Sequence, residues 1–254
     1  MSAFGLSISY MTLAEAAAHI ANGASKVERL EYVVTPNIDH IVNLYSDPQF
    51  KEAYAGASLV VADGWPVVLG ARLLGEPVPE RVSGSDLIPE ILHYANQRHL
   101  PLSVFVLGGM GDVPERAAQY IAINYPNLKI AGFLSPPFGF EKNSEKNLNV
   151  CAAVQQSGAN FIIVGLGSPK QEKWIYSSQG FLPPSIAVCG GAAVDFLAGS
   201  ITRAPKWVQT IHLEWLYRLI QEPKRLTRRY LRDAVRFPLI FTAELAKKIF
   251  QELA

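Results

Sequence analysis

The order of apolar and polar positions along the chain predicts alternating strands and helices. Short apolar runs, bounded by polar or glycine-rich segments, have the length and composition of strands buried on both faces. We place six of them, at Glu31–Val34, Ser58–Val61, Leu102–Leu107, Leu128–Leu134, Asn160–Val164 and Ser185–Val188. Helical patterns separate the runs, so we predict an α/β fold with a mostly parallel sheet and helices on both faces.

The predicted helices carry recognisable start signals. Thr12 and Glu15 form a capping-box pattern ahead of an alanine-rich stretch, and Asn37 and Asp86 are expected N-caps. Beyond the first helix, the pattern predicts helices over Ile38–Leu44, Gln49–Ala55, Trp65–Leu74, Leu87–Arg98, Val113–Asn124 and Glu141–Ser157.

An acid follows the second predicted strand directly, in the sequence Ala62-Asp63-Gly64. A strand buried on both faces cannot hide an unpaired carboxylate, so Asp63 should lie where the strand emerges at its C-terminal end. Ligand crevices of open α/β sheets lie at that edge. Two interpretations stay open: Asp63 is a site residue, or it only caps the helix that begins near Trp65.

Other strand ends carry polar or glycine-rich loops. Thr35-Pro36-Asn37 follows the first strand and is a helix start, a ligand loop, or both. Glycine-rich turns follow the third and fifth strands, at Gly108–Gly111 and Gly165–Glu172, in an arrangement that can present backbone N–H groups to phosphate. Parallel topology puts these ends on one edge, where we expect them to converge with Asp63. Each turn alone is a weak signal.

Composition narrows the class of protein. The 254 residues are 49% hydrophobic and 18% charged, an ordinary globular balance. Cys151 and Cys189 lie in apolar contexts without a metal or redox spacing, so we expect buried thiols in a reducing compartment. Neither a signal peptide nor a membrane-spanning run of 18 apolar residues is evident.

Charge is distributed unevenly. Residues 200–254 hold 11 Lys/Arg and 5 Asp/Glu, whereas the remainder holds 12 and 17. We therefore predict an acidic α/β core over residues 1–199 and a basic amphipathic appendage over residues 200–254, which suggests an anionic partner. One helix of the appendage should begin near Pro205, a second should restart at Pro223, and Pro238 should break the second.

An arginine stripe dominates the appendage. Its members are Arg225, Arg228, Arg229, Arg232 and Arg236. At about 100° per residue they fall within an arc of roughly 100° on one helix face. A solvated basic face is one interpretation; phosphate binding or an interface with anionic lipid is the other. Arg81, in a turn-rich segment, is likewise either solvated or a phosphate clamp.

The motifs together resemble those of the WecG/TagA/CpsF glycosyltransferases, family 26. The matching pieces are Thr35-Pro36-Asn37, Ala62-Asp63-Gly64, Arg81 with Gly84-x-Asp86, Leu107-Gly108-Gly109, Gly165-Leu-Gly-Ser-Pro-Lys-Gln-Glu172, Asp195-Phe196-x-Ala-Gly199, Arg203-Ala-Pro-Lys-x-Trp207 and Leu213-Glu-Trp-Leu-Tyr-Arg218. They occur in family order over roughly residues 30–230. The chain departs from the family at His212, where a glycine is expected, and at Pro136–Phe140.

The resemblance implies a Rossmann-like fold of the GT-E type and an inverting transfer. The donor would be a UDP-sugar, typically of the N-acetylmannosamine type, and the acceptor a polyprenyl-diphosphate-linked sugar used in cell-surface polysaccharide or teichoic acid synthesis. It implies Asp63 as the catalytic base with Thr35 and Asn37 beside it. The positions expected to bind substrate are Arg81, Gly108, Gly109, Gly165, Gly167, Gln171, Glu172, Asp195, Arg203, Arg218, Arg225 and Arg228.

Further expectations follow for cofactors and partners. Neither a DxD motif nor a His/Asp cluster at metal spacing is evident, so we expect no metal, with arginines neutralising the leaving nucleotide. The appendage is expected to fold over the site at the inner face of the plasma membrane, and self-association is possible. A non-catalytic nucleotide-sugar-binding module stays an alternative. Nucleic-acid binding is disfavoured, because aromatic residues other than Tyr230 do not interleave with the arginines.

Overall fold

The computed structural model describes residues 3–253 and contains a six-stranded sheet, all of whose pairs are parallel. The strand order is β2-β1-β6-β5-β3-β4. The strands are β1 (Leu30–Val34), β2 (Leu59–Val60), β3 (Ser103–Gly108), β4 (Lys129–Leu134), β5 (Phe161–Gly165) and β6 (Ser185–Cys189). The predicted α/β class and parallel sheet are confirmed. The second strand is only a two-residue edge strand.

Twelve α-helices surround the sheet within the described range. They are α1 (Leu13–Gly23), α2 (Ile38–Leu44), α3 (Pro48–Ala55), α4 (Trp65–Leu73), α5 (Gly84–Gln97), α6 (Val113–Asn124), α7 (Ser144–Ser157), α8 (Lys170–Ser177), α9 (Ala193–Leu197), α10 (Lys206–Thr210), α11 (Glu214–Gln221) and α12 (Pro223–Leu253). The Thr12 capping box and the Asn37 N-cap are both present, so the predicted starts of α1 and α2 are confirmed.

Two apolar clusters cover the two faces of the sheet. Alternate residues of one strand join opposite clusters: Val104 and Val106 pack with α1, α5 and α6, whereas Phe105 and Leu107 pack with residues of α2, α3, α4, α7 and α8. This alternation is what a strand covered on both sides requires. Cys151 and Cys189 are buried and free, as expected.

The basic appendage packs on the body through its last helix. Leu226 is fully buried, and the partly buried Phe237 and Phe241 contact the ring of Phe4 near the N-terminus. Helix α12 also packs along α2, the helix that follows the Thr35–Asn37 loop. The appendage therefore lies over the C-terminal edge of β1 and β2. None of the helices in residues 3–253 combines the length and apolarity needed to cross a bilayer.

Three local predictions were wrong. Helix α12 continues through Pro238, whose missing N–H leaves the carbonyl of Ala234 without its helical donor. Both residues are exposed, so water can satisfy that carbonyl. The helix that we expected from Pro205 is divided into α10 and α11. The N-cap of α5 is Ser83, not Asp86, because the Ser83 hydroxyl accepts a hydrogen bond from the Asp86 N–H while the Asp86 carboxylate binds arginines.

Candidate active site

A cavity of about 280 Å³ lies at the C-terminal edge of β1 and β2. The loop after β1 supplies Asn37, and the segment after β2 supplies Asp63. The appendage closes the other side, with Glu214 and Arg218 from α11 and Arg229 from α12. The cavity thus lies between the core and the appendage, and carboxylates from both parts line it.

Asp63 lines this cavity and caps no helix. Its backbone N–H donates to the Pro36 carbonyl (2.9 Å), which ties the segment after β2 to the loop after β1. The N-cap of α4 is Gly64, at a φ of 88°, and no side chain caps that helix. The Asp63 carboxylate is therefore left to face the cavity, where it is 24% exposed.

The surroundings of Asp63 favour its neutral form. Burial, the largest cause, raises the pKa of Asp63 to about 7, and the carboxylates of Glu214 and Asp86 act in the same direction. The guanidinium groups of Arg81 and Arg218 oppose the rise. A carboxylate with a pKa near neutrality is matched to proton abstraction at neutral pH.

Thr35 and Asn37 differ in their access to the cavity. Asn37 lines it, and its side-chain oxygen accepts a hydrogen bond from the His40 N–H (3.3 Å) at the start of α2. The helix-start and ligand-loop interpretations therefore both agree with its position. Thr35 is buried, 5% exposed, and is not among the residues that line the cavity.

Arg81 and Arg203 are occupied by carboxylates. Arg81 lies 2.8 Å from Asp86 and 3.5 Å from Glu214, with Asp63 at 3.9 Å. Arg203 contacts the same two acids, Asp86 at 2.6 Å and Glu214 at 3.4 Å. Two arginines and two shared acids thus form a network of ion pairs that connects α11 to the start of α5.

The appendage arginines differ in whether they reach the cavity. Arg218 and Arg229 line the cavity, whereas Arg225 and Arg228 are exposed outside it. Arg225 pairs with Glu222, one turn away. The structure therefore brings one of the three predicted appendage arginines to Asp63, together with Arg229, which the motif comparison had not singled out.

The predicted glycines lie elsewhere on the same edge. The strand order separates β3 and β5, which carry Gly108 and Gly165, from β1 and β2 by the width of β6. A Cβ on Gly108 would lie 2.3 Å from the Gly165 carbonyl oxygen, and one on Gly165 would lie 2.5 Å from Val194. A Cβ on Gly109 would meet Val113 at 2.6 Å, whereas Gly167 faces open space. Close packing accounts for three of these glycines, and phosphate binding there stays a prediction.

Gln171 and Glu172 connect two of the strand-end loops. The Gln171 amide donates to Glu172 (2.8 Å), and its oxygen accepts from the Gly191 N–H (3.2 Å) after β6. Glu172 is fully buried, its Oε2 has no hydrogen-bond partner within residues 3–253, and burial raises its pKa to about 7. Asp195 is partly exposed on α9, and its pKa is raised by burial against the opposing charges of Arg225 and Arg218. None of the three lines the cavity.

Sequence reasoning missed the acids that hold α12. Asp39 is 6% exposed and accepts a hydrogen bond from Arg232, which also bonds Asp233 (3.0 Å). Arg229 lies 3.9 Å from Asp39. The sequence did contain a signal for this contact. Asp39 is an acid in the otherwise apolar start of α2, and a buried acid needs a partner.

His212 gives the cavity an aromatic wall. Its ring stacks on Trp65 at a centroid distance of 5.0 Å and an interplanar angle of 3°. Its φ of 61° is a left-handed conformation that glycine adopts most easily, which explains the family preference at this position. The histidine that stands where the family has glycine therefore adds a side chain to the wall of the cavity.

Metal-ligating side chains do not gather in this region. Between residues 3 and 253, no group of three or more His, Cys, Asp or Glu side chains could hold an ion. The predicted independence from metal is a matter for experiment.

Known proteins match this chain over most of its length. The model of the "Glycosyl transferase WecG/TagA/CpsF family" matches residues 1–251. A protein of Staphylococcus aureus, named N-acetylglucosaminyldiphosphoundecaprenol N-acetyl-beta-D-mannosaminyltransferase, is 31% identical over 198 residues, 78% of this chain and 74% of its own. Proteins of the same name from Bacillus subtilis and Bacillus spizizenii are 30% and 29% identical, over 72% and 78% of this chain and 68% and 74% of their own lengths. The chain belongs to the WecG/TagA/CpsF family and is a glycosyltransferase.

Proposed function

We propose that this enzyme transfers an N-acetylmannosamine-type sugar, with inversion, from a UDP-sugar to a polyprenyl-diphosphate-linked sugar. One observation carries the proposal: Asp63, with a pKa of about 7, faces a cavity that also contains arginine side chains. The names of the relatives support the sugar and the acceptor and specify a beta-D-mannosaminyl product. Transfer from an α-linked UDP-sugar to such a product would proceed with inversion.

The reaction needs one proton acceptor and one site of positive charge. Asp63 takes the proton from the acceptor hydroxyl as its oxygen attacks the anomeric carbon. The bond from that carbon to the UDP oxygen breaks, and UDP leaves with the electron pair. Guanidinium groups at the cavity stabilise the charge that develops on the departing diphosphate, without a divalent ion. Asn37, which lines the cavity, would orient the sugar beside the base.

The appendage would bring the enzyme to its lipid-linked acceptor. Trp207, Ile220, Leu231 and Val235 are each about two-thirds or more exposed, and basic residues lie among them. An amphipathic basic surface of this kind suits the interface of an anionic membrane. We propose that the enzyme is peripheral on the inner face of the plasma membrane. Self-association through the same apolar residues in the absence of lipid is a second use of that surface.

A donor-panel assay tests the proposal. Purified full-length chain is incubated with UDP-N-acetylmannosamine, UDP-N-acetylglucosamine or UDP-glucose and a short-chain polyprenyl-diphosphate N-acetylglucosamine. We expect UDP release and a product one sugar heavier with UDP-N-acetylmannosamine, equally in EDTA, and a β-linkage by NMR. A strict need for a divalent ion would overturn the metal-free mechanism. UDP-sugar binding without turnover would favour the binding module.

A further inference from the structure

Arginines in and around the cavity are of two kinds. Arg81 and Arg203 direct their donors at Asp86 and Glu214, over distances of 2.6 to 3.5 Å. Arg218 and Arg229 differ, because the Nε–H group of each is buried and has no hydrogen-bond partner among the described residues. Both of these side chains line the cavity that contains Asp63.

A buried guanidinium N–H without an acceptor is costly, and native structures rarely keep one without a reason. Two such donors in one cavity indicate a ligand that accepts hydrogen bonds and carries negative charge. Arginine binds phosphate oxygens through its planar set of donors better than a point charge does. The unpaired Nε–H donors of these two arginines therefore fit a phosphate group.

Arg229 is held in place by two neighbours. Its Nη1 lies 3.9 Å from Asp39, and its guanidinium carbon lies 5.3 Å from the centre of the Tyr230 ring. Asp39 in turn is held by Arg232, which fixes its carboxylate against α12. These contacts fix the side chain while its buried Nε–H keeps no hydrogen-bond partner among the described residues, so the side chain is pre-organised for a ligand.

The helix geometry explains why Arg229 and not Arg228 faces the cavity. The buried residues Leu226 and Asp233 define the inner face of α12. At about 100° per residue, Arg229 lies roughly 50° from the middle of that face and Arg228 roughly 150°. Arg228 is consequently exposed, although the motif comparison had favoured it.

We propose that Arg218 and Arg229 together bind one phosphate of a diphosphate-bearing substrate, with Arg229 as an unassigned binding residue. The inference rests on the proposed function for the identity of that substrate. UDP and the polyprenyl diphosphate share this chemistry, so the test has a separate arm for each.

Steady-state kinetics of Arg229→Gln show whether the bound phosphate belongs to the UDP-sugar or to the polyprenyl diphosphate. We expect the KM of one substrate to rise about ten- to a hundredfold, the range for a lost charge-assisted hydrogen bond. A rise in the KM for the UDP-sugar assigns the site to the donor, and a rise in the KM for the lipid-linked sugar assigns it to the acceptor. Lys224→Gln removes an exposed charge from the same helix and should leave both values unchanged.

Two additions keep the test decisive. Arg229→Lys keeps the charge but lacks the Nε–H group, and it serves if Arg229→Gln lowers the unfolding midpoint. Calorimetric titration with UDP, and separately with farnesyl diphosphate, measures the site without turnover. Wild-type transfer with both KM values unchanged in folded Arg229 variants would overturn this inference and leave the function standing. If the enzyme binds diphosphate in an Arg229-dependent way but transfers no sugar, the proposed function is overturned and this inference stands.

Discussion

Two regions of the C-terminal edge of the sheet, one at β3 and β5 and one at β1 and β2, differ in the role of their most noticeable residues. Around β3 and β5, glycines that suggest a phosphate cradle are needed because Gly108 and Gly165 pack backbone against backbone. Around β1 and β2, glycines are few, and carboxylates and arginines surround a cavity. A glycine motif after a strand therefore indicates close packing as readily as ligand binding. The two unpaired arginine donors in the cavity that Asp63 lines are a more direct sign of a ligand site than the glycines are.

The strongest test of this contrast is Asp63→Asn. Loss of the base should lower kcat about 10²- to 10⁴-fold, the usual contribution of general-base catalysis. The measurement is transfer at saturating donor and acceptor. The unfolding midpoint of the variant serves as its control and should equal or exceed that of the wild type, because an isosteric amide removes a buried acid. Wild-type turnover would remove Asp63 from the mechanism.

Gly108→Ala should act on stability. Gly108 has a φ of 113°, and the new Cβ would meet the Gly165 carbonyl, so we expect a loss of about 3 kcal/mol or more in the free energy of unfolding. Gly111→Ala is the matched control: it has a φ of 58° but open space, and should cost about 1 kcal/mol. Chemical denaturation measures both. A Gly108→Ala variant of normal stability that no longer binds UDP would reverse the comparison.

Glu172→Gln should show a pH-dependent gain in stability. Burial raises the pKa of Glu172 to about 7 from an ordinary value of 4.5, so the folded state holds a proton that the unfolded state releases between these values. The wild type therefore loses up to about 3 kcal/mol as pH rises from 4.5 to 7, and the glutamine variant does not. Unfolding midpoints at pH 5 and pH 8 check this: a stability difference between variant and wild type that is the same at both pH values would contradict it.

His212→Gly should have the smallest effect. The change relieves a left-handed backbone but removes the ring that stacks on Trp65, so stability should stay within about 1 kcal/mol. If the stack shapes the substrate pocket, the KM for the acceptor or the donor should rise about two- to fivefold. Kinetics with both substrates measure this, and unchanged KM values would make the stack purely structural.

The sequence predicted the fold because the fold depends on local patterns. Apolar runs such as Phe161–Val164 and the caps at Thr12 and Asn37 act within a few residues of themselves. The site was only partly predictable. Asp63 at a strand end follows from the cost of burying a charge. Whether Arg228 or Arg229 faces the cavity depends on which face of α12 packs on α2. The hydrogen bond between Asp39 and Arg232 decides that contact, and these two residues are 193 positions apart in the sequence.

The pH dependence of kcat/KM between pH 5 and 9 tests the central claim most directly. If Asp63 is the base, kcat/KM should rise about tenfold per pH unit and level off near pH 7, where its carboxylate is ionised. The residual activity of Asp63→Asn should lack that step. A wild-type profile that is flat from pH 5 to 8, or the same midpoint in Asp63→Asn, would contradict the account.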